Sequence, residues 1–190
     1  FTAGGLGLPP VFPIVREHLQ AGHHVTLVAG FRSAAHRFWL GPDDRVGRLQ
    51  ATWGAQLDVV VTTNDGSAGV PGFVTGPLEA MLEAARTGAG RPVAEVVTIG
   101  PPPMMRAVAE LTGSYGTPCV ASLNSIMVDA TGMCGACMVP CVVDGALVRK
   151  HACIDGPELD AHIIDWDKFL PRFGLFRAQE DRSRAEHGLG

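Results

Sequence analysis

The chain has 190 residues, 46% of them hydrophobic, and a formal net charge of −4. That is enough apolar material for one substantial core, or for a domain with a small appendage. With no basic excess and no run of like charge, nothing favours a nucleic-acid partner, and no apolar stretch is long enough to cross a bilayer.

In chain order, Phe1–Ala3 reads as the end of a strand, because the turn of Gly4, Gly5 and Gly7 is of the kind that follows one. The start without methionine, inside a strand, gives the expectation that this is a piece of a longer protein. "PPVFPIVREHLQAGH" predicts a helix with prolines in its first turn and Gly22 as its stop. "HVTLVAG" predicts a strand, "DDRVGRLQATWG" a helix, "LDVVVTT" a second buried strand, and "NDGSAGVPG" a loop. "GPLEAMLEAARTG" and "PPPMMRAVAELTG" predict helices, with the strand "AEVVTIG" between them and "TPCVASL" after. Strand and helix alternate to about residue 123. The expected fold is α/β, a parallel sheet with helices on both faces.

The texture then changes. Residues 124–165 are rich in glycine and cysteine, and "CMVPCVVDGALVRKHAC" predicts a β-hairpin turning at Asp144–Gly145. Residues 166–190 predict a C-terminal helix with a charged tail, frayed at "EHGLG". The chain thus divides into a nucleotide-binding part at 1–123, a cysteine-rich module at 124–165, and a helical tail.

Two strand-to-helix turns offer phosphate-binding chemistry. Gly4, Gly5 and Gly7 allow close backbone approach, and the helix that follows presents free N–H groups. The spacing lacks the third glycine of the usual dinucleotide fingerprint, so a tight turn without ligand explains it equally well. Gly100, Pro101 and Pro102 end a strand at the same sheet edge, where ligands of open α/β sheets bind. Met104 and Met105 beside them read first as core. Asp65, Gly66 and Ser67 either line a nucleotide cleft or form a plain surface turn. Arg32 follows the second strand, where it permits a 2′-phosphate without requiring one.

Five cysteines, Cys119, Cys134, Cys137, Cys141 and Cys153, make a poor disulfide framework. Their clustering points to metal binding in a reducing compartment, hence a cytoplasmic protein. Asp129, Cys134, Cys137 and Cys153 give D-x4-C-x2-C-x15-C. The plant-type [2Fe–2S] pattern is C-x4-C-x2-C…C, with Asp129 standing where its first cysteine would be. On spacing alone Asp129 is a ligand or a loop cap with equal force. Cys119 in an apolar strand reads as buried and inert. A zinc site completed by Cys119 or Cys141 is the structural alternative. His151, beside Cys153, reads as a solvent-facing histidine or a donor to a sulfur.

Taken together, "TAGGLGLPPVFPIV", "TNDGSAGVPGFVTGPL", "VVTIGPPPMMRAVAELT", "SLNSIMVDATGMCGACMV" and "ACIDGPELDAHIIDWD" resemble the electron-transfer subunits of the dihydroorotate dehydrogenase B type. They are still more similar to the small subunit of the NADH-dependent ferredoxin:NADP oxidoreductase and related sulfide dehydrogenases. The resemblance covers nearly the whole chain. It implies a ferredoxin-reductase-type NAD-binding domain followed by a [2Fe–2S] module, with an FAD-binding barrel lying upstream of residue 1. It also implies Asp129, Cys134, Cys137 and Cys153 as cluster ligands, because the first ligand of the second branch is an aspartate. Gly4, Gly5 and Gly7 would hold the pyrophosphate of NAD(H) or NADP(H), and Gly100, Pro101 and Pro102 the nicotinamide end. No catalytic acid or base is implied, since hydride moves between cofactors. A larger flavin/iron–sulfur subunit is the implied partner. It decides whether the complex serves ferredoxin, sulfide or dihydroorotate. Ala130, where glycine is common, and Cys141, an extra thiol, depart from the pattern without removing a ligand. A zinc-stabilised nucleotide-binding module without redox role remains the alternative from another class.

Overall fold

The structure, a computed structural model, describes residues 1–188; residues 189 and 190, the end of the predicted tail, lie outside the described residues. A seven-stranded sheet runs in the order β4-β3-β2-β1-β5-β6-β9. Its strands are β1 (Thr2–Gly4), β2 (Val25–Phe31), β3 (Leu57–Thr63), β4 (Val70–Pro71), β5 (Val96–Ile99), β6 (Cys119–Ser122) and β9 (Glu158–Asp160). All pairs are parallel except β6–β9. Between β6 and β9 the chain makes a separate hairpin, β7 (Met138–Val143) with β8 (Ala146–His151).

Helices cover both faces, as alternating strands and amphipathic helices require. α1 (Leu8–Gln20) buries Leu8, Val11, Val15 and Leu19, one face at helical spacing. With α2 (Arg45–Trp53) it packs on Ala3, Leu27, Ala29 and Ile99. On the other face, α3 (Thr75–Arg86) and α4 (Pro102–Ser114) bring Leu78, Leu82, Met105 and Val108 onto Val28, Val96 and Ala121. This second core does not stop at residue 123. It runs on through Cys137, Val139, Cys141, Ala152, Ile164, Trp166 and Phe169.

Three local features differ from the sequence expectations. The loop 64–72 contains the two-residue edge strand β4, paired to Thr62 and Thr63. The segment 158–160 is a strand, although its three residues carry too little pattern to announce one. The single C-terminal helix is instead α5 (Trp166–Phe169), a 3-10 turn over Leu170–Gly174, and α6 (Arg177–Glu186). Pro171 interrupts the helix, since it has no N–H to continue the bonding. α6 buries none of its residues.

The strand order places a switch point between β1 and β5. From β1 the chain moves through β2, β3 and β4 to one side, then returns to β5 on the other. The carboxyl ends of β1 and β5 therefore diverge over a crevice, the usual ligand position in open α/β sheets.

Candidate cluster site and nucleotide cleft

The cysteine module is built by its hairpin. Asp144 and Gly145 both have positive φ, 51° and 77°, which suits a two-residue turn between twisted strands. The register pairs Met138 with His151, and Ala152 N–H donates to the Cys137 carbonyl at 3.1 Å. Closing the hairpin thus returns Cys153 to Cys137, and the two sulfurs stand in hydrogen-bond contact at 3.2 Å. Cys137 is buried and Cys153 half-buried. The neighbouring Cys137 thiol, then burial, raises the pKa of Cys153.

The preceding loop carries Asp129 and Cys134. Asp129 is exposed, and its Oδ1 accepts the Thr131 N–H at 2.9 Å. That N–H, and after it the Cys134 thiol and N–H, hold the Asp129 carboxyl below the usual range. Ala136 N–H points at the Cys134 sulfur at 3.5 Å. The loop takes this course through positive φ at Ala130 (59°), Gly132 (83°) and Gly135 (68°). At Ala130 a Cβ makes the left-handed conformation costly, by about 1–2 kcal/mol. A Cβ on Gly132 would meet Ile154 Cδ1 at 2.7 Å, so this turn lies directly against the residue after Cys153.

Of the four predicted ligands, Cys137 and Cys153 are in direct contact, while Asp129 and Cys134 share the preceding exposed loop. Among the described residues no three His, Cys, Asp or Glu side chains stand together in metal-binding position. Three thiols and a carboxylate, carried on an exposed loop and a hairpin mouth, fit a two-iron cluster in donor chemistry. Cys119 and Cys141 are sunk in the core, 2% and 0% exposed. Cys141 Sγ faces the Val139 carbonyl at 3.7 Å. The His151 backbone N–H donates to Asp155 at 2.6 Å, and no hydrogen bond joins its ring to a cysteine among the described residues. Sequence reasoning missed Arg172, whose guanidinium donates to the Ala136 carbonyl at 3.3 Å from beyond α5. Around these groups Ile126, Val128, Met133 and Ile154 expose 58–87% of their surface.

At the switch point the predicted glycines divide into two kinds. Gly4 and Gly100 stand backbone to backbone: a Cβ on Gly100 would lie 2.9 Å from Gly4 N. Met104 covers both, its sulfur 2.6 Å from where a Gly4 Cβ would be, and Pro101 Cδ is at 2.7 Å. Met104 is thus half-buried at the cleft, while Met105 is core. Gly5 (φ 51°) faces open space, with nothing within 4 Å of a built Cβ. Gly7 is different. A Cβ there would run into the Ile99 carbonyl, so close packing of α1 on β5 alone demands glycine. Asp65 Oδ1 accepts from Ser67 N at 3.0 Å and Ser67 Oγ at 2.6 Å, and Ser67 Oγ in turn accepts the Ala34 N–H at 2.7 Å. These three residues thus tie the end of β3 to the loop after β2. Pro102 opens α4, and Gly66 (φ 71°) turns the loop.

Known proteins resemble the chain along its length. Residues 124–165 match the family model of the iron–sulfur cluster binding domain of dihydroorotate dehydrogenase B. A Thermotoga maritima homolog of the dihydroorotate dehydrogenase B (NAD(+)) electron transfer subunit is 34% identical over 179 residues, covering 94% of this chain and 56% of that protein. A probable electron transfer subunit of the same enzyme from Methanocaldococcus jannaschii is 29% identical, covering 93% of this chain and 59% of the relative. Among solved structures, a chain of the NADH-dependent reduced ferredoxin–NADP oxidoreductase superposes with TM-score 0.75 at 35% identity, covering 100% of this chain and 61% of the other. The chain spans a little more than half the length of these relatives. With a parallel α/β sheet, a match to an iron–sulfur binding domain at 124–165 and this likeness along its whole length, the chain resembles the dihydroorotate dehydrogenase B-type electron-transfer subunits and the ferredoxin–NADP oxidoreductase chain.

Proposed function

We propose that the chain is the electron-transfer part of a flavin/iron–sulfur oxidoreductase, working between NAD(P)H, FAD and a [2Fe–2S] cluster and a larger partner subunit. The observation that carries this reading is the contact of Cys137 with Cys153 beside the loop of Asp129 and Cys134, inside the segment that matches an iron–sulfur domain. When bound, a flavin converts a two-electron hydride into single electrons, and a cluster carries those singly. The chain's own residues bind and place. Cys137 and Cys153 would hold one iron from the hairpin mouth, and Asp129 and Cys134 the other from the loop. Arg172 steadies that loop at Ala136. The open backbone of Gly5, with Gly4 and Gly100 behind it, would receive the pyrophosphate of the nucleotide, and Pro101 and Pro102 its nicotinamide end. Asp65, Gly66 and Ser67 would border the same cleft further along the edge.

The exposed Ile126, Val128, Met133 and Ile154 give the partner subunit an apolar surface beside the cluster ligands, which suits short-range electron hand-off. The chain's thiols call for a reducing compartment, so the proposed location is the cytoplasm. No helix among the described residues is long and apolar enough to cross a membrane. The family model favours a second reading of the whole complex, in which the partner oxidises dihydroorotate; the roles of this chain are the same in both.

The test is anaerobic purification and iron–sulfur reconstitution, with assays of iron, acid-labile sulfide and zinc. About two irons and two sulfides per chain, with a [2Fe–2S] EPR signal after dithionite, are expected. An Asp129→Cys variant should retain the cluster with a shifted spectrum. One zinc per chain without sulfide would overturn the redox reading in favour of a structural zinc module.

A further inference from the structure

Arg172 lies beyond the cysteine segment in sequence, within "LPRFG", and the fold brings it back. Trp166 and Phe169 of α5 are sunk in the core, 8% and 1% exposed, and Phe169 holds Phe173 edge-on at 5.1 Å. The chain just before α5 is tied to β7. Asp165 N–H donates to the Pro140 carbonyl at 2.9 Å, and Val142 N–H donates to the Ile163 carbonyl at 2.6 Å. Pro140 and Val142 belong to the strand that begins directly after Cys137. The 3-10 turn Leu170–Gly174 is thus fastened to the same strand that leads out of the cysteine loop. Arg172 reaches the Ala136 carbonyl from a fixed base.

Ala136 lies between the two thiols of Cys134-x2-Cys137, and it is held at both ends. Its N–H points at the Cys134 sulfur at 3.5 Å, and its carbonyl accepts from Arg172 Nη2 at 3.3 Å. That carbonyl belongs to the peptide unit that carries the Cys137 N–H. One guanidinium therefore sets the backbone between two of the proposed ligands. It also brings a permanent positive charge, since arginine stays protonated at any ordinary pH. Lys168 pairs with Asp165, and Arg106 with Glu110 and Asp167. Among the described residues no carboxylate stands within ion-pair distance of Arg172. The side chain is half-buried, so solvent screens its charge only in part.

The potential of an iron–sulfur cluster depends on nearby charge, on hydrogen bonds to the sulfurs and on exposure. A positive charge favours the state that holds one more electron, and an N–H facing a sulfur does the same. We propose that Arg172 is a positioning residue for the cluster site, which holds the backbone between Cys134 and Cys137 and raises the reduction potential through its charge. The proposal rests on the reading that Asp129, Cys134, Cys137 and Cys153 hold a [2Fe–2S] cluster. Groups that orient ligands from outside the ligand set tune a metal site in this way.

The experiment is an EPR-monitored redox titration of the reconstituted 190-residue chain, as parent, Arg172→Gln, Arg172→Lys and Arg182→Gln. The last removes an exposed charge from α6 and serves as the control. Arg172→Gln should favour the oxidised form about tenfold at a given potential, a fall of about 59 mV in the midpoint of a one-electron couple. Added salt should shrink the difference. Arg172→Lys should restore most of it, and Arg182→Gln should match the parent. An unchanged midpoint in Arg172→Gln, or an equal fall in Arg182→Gln, would overturn the proposal and leave the cluster reading standing. Should Arg172→Gln fold without retaining its irons, the lysine variant decides. A midpoint at the parent's value then supports the proposal, and a fall of tenfold size or loss of the cluster overturns it. A parent chain that takes up no cluster would overturn both the proposal and the reading beneath it.

Discussion

Asp129 and its thiol neighbours show how much a residue's surroundings decide. The spacing D-x4-C-x2-C-x15-C was legible in the sequence, and so was the hairpin that returns Cys153 to Cys137. The Asp129 carboxylate and the Cys134 thiol share one exposed turn, but no sequence pattern marks Arg172 as a neighbour, because it arrives from another element through the fold. Cys119 is the opposite case. It reads as a buried core thiol from its apolar strand, and it is 2% exposed. Burial pushes its thiol up from 9.0 to about 11, with Asp160 and Glu95 adding to the rise and Thr112 opposing it. In the unfolded chain the same thiol ionises near 9. Between those values the unfolded state has lost a proton that the folded state keeps. Stability is therefore fully present below about pH 9 and lost as pH rises towards about 11, by up to about 3 kcal/mol. Urea unfolding of the cluster-free chain at pH 8 and pH 10.5 checks this. The loss should be clearly smaller in Cys119→Ala, whose cavity cost is independent of pH. An equal loss in both proteins would mean that other groups set the alkaline limit.

At the scale of elements, the alternation of strand and helix through residue 123 was legible because each strand is a short branched run and each helix keeps one apolar stripe. β4 and β9 were not, since two or three residues cannot show a period. The C-terminal helix was misread across Pro171, where composition still looked helical. The glycine turn before α1 shows a subtler limit: Gly5 and Gly7 look alike in sequence, yet glycine serves different ends at the two positions. Gly5 has positive φ and opens to solution; Gly7 is pressed on the Ile99 carbonyl, where any side chain separates α1 from β5. Gly7→Ala should therefore destabilise the fold by about 1–3 kcal/mol through overpacking. Gly5→Ala meets no atoms, and its cost is the left-handed backbone alone, about 1 kcal/mol. The two should part on binding. Gly5→Ala is expected to weaken 5′-ADP affinity several-fold in a chain that remains folded. Melting curves and calorimetry on both variants decide the matter, and unchanged nucleotide affinity in folded Gly5→Ala would remove that turn from the binding site.

For the whole molecule, the division into a nucleotide-binding part and a cysteine module describes ligands better than it describes packing. β9 comes from the cysteine segment and closes the edge of the main sheet against β6. The hydrophobic cluster under α3 and α4 continues into Val139, Cys141, Ala152 and Ile164. Trp166, from α5, donates its indole N–H to the Ala161 carbonyl at 3.0 Å and stacks edge-on with Phe169 at 5.9 Å. Such sharing couples the two regions: freeing the module would expose an unpaired strand edge and an uncovered apolar face together. A rigid joint also suits the proposed electron transfer, because it fixes the span between the proposed nucleotide cleft and the proposed cluster loop. The expected consequence is one cooperative unfolding transition for the cluster-free chain. It can be read with Trp166 as the sole tryptophan, after Trp39→Phe and Trp53→Phe, against far-ultraviolet circular dichroism of the whole sheet. Coincident midpoints follow from the continuous core. If Trp166 fluorescence changed at distinctly lower urea than the sheet signal, the module would be an independent unit, and the spacing between the two proposed cofactor sites would be set by something other than shared packing.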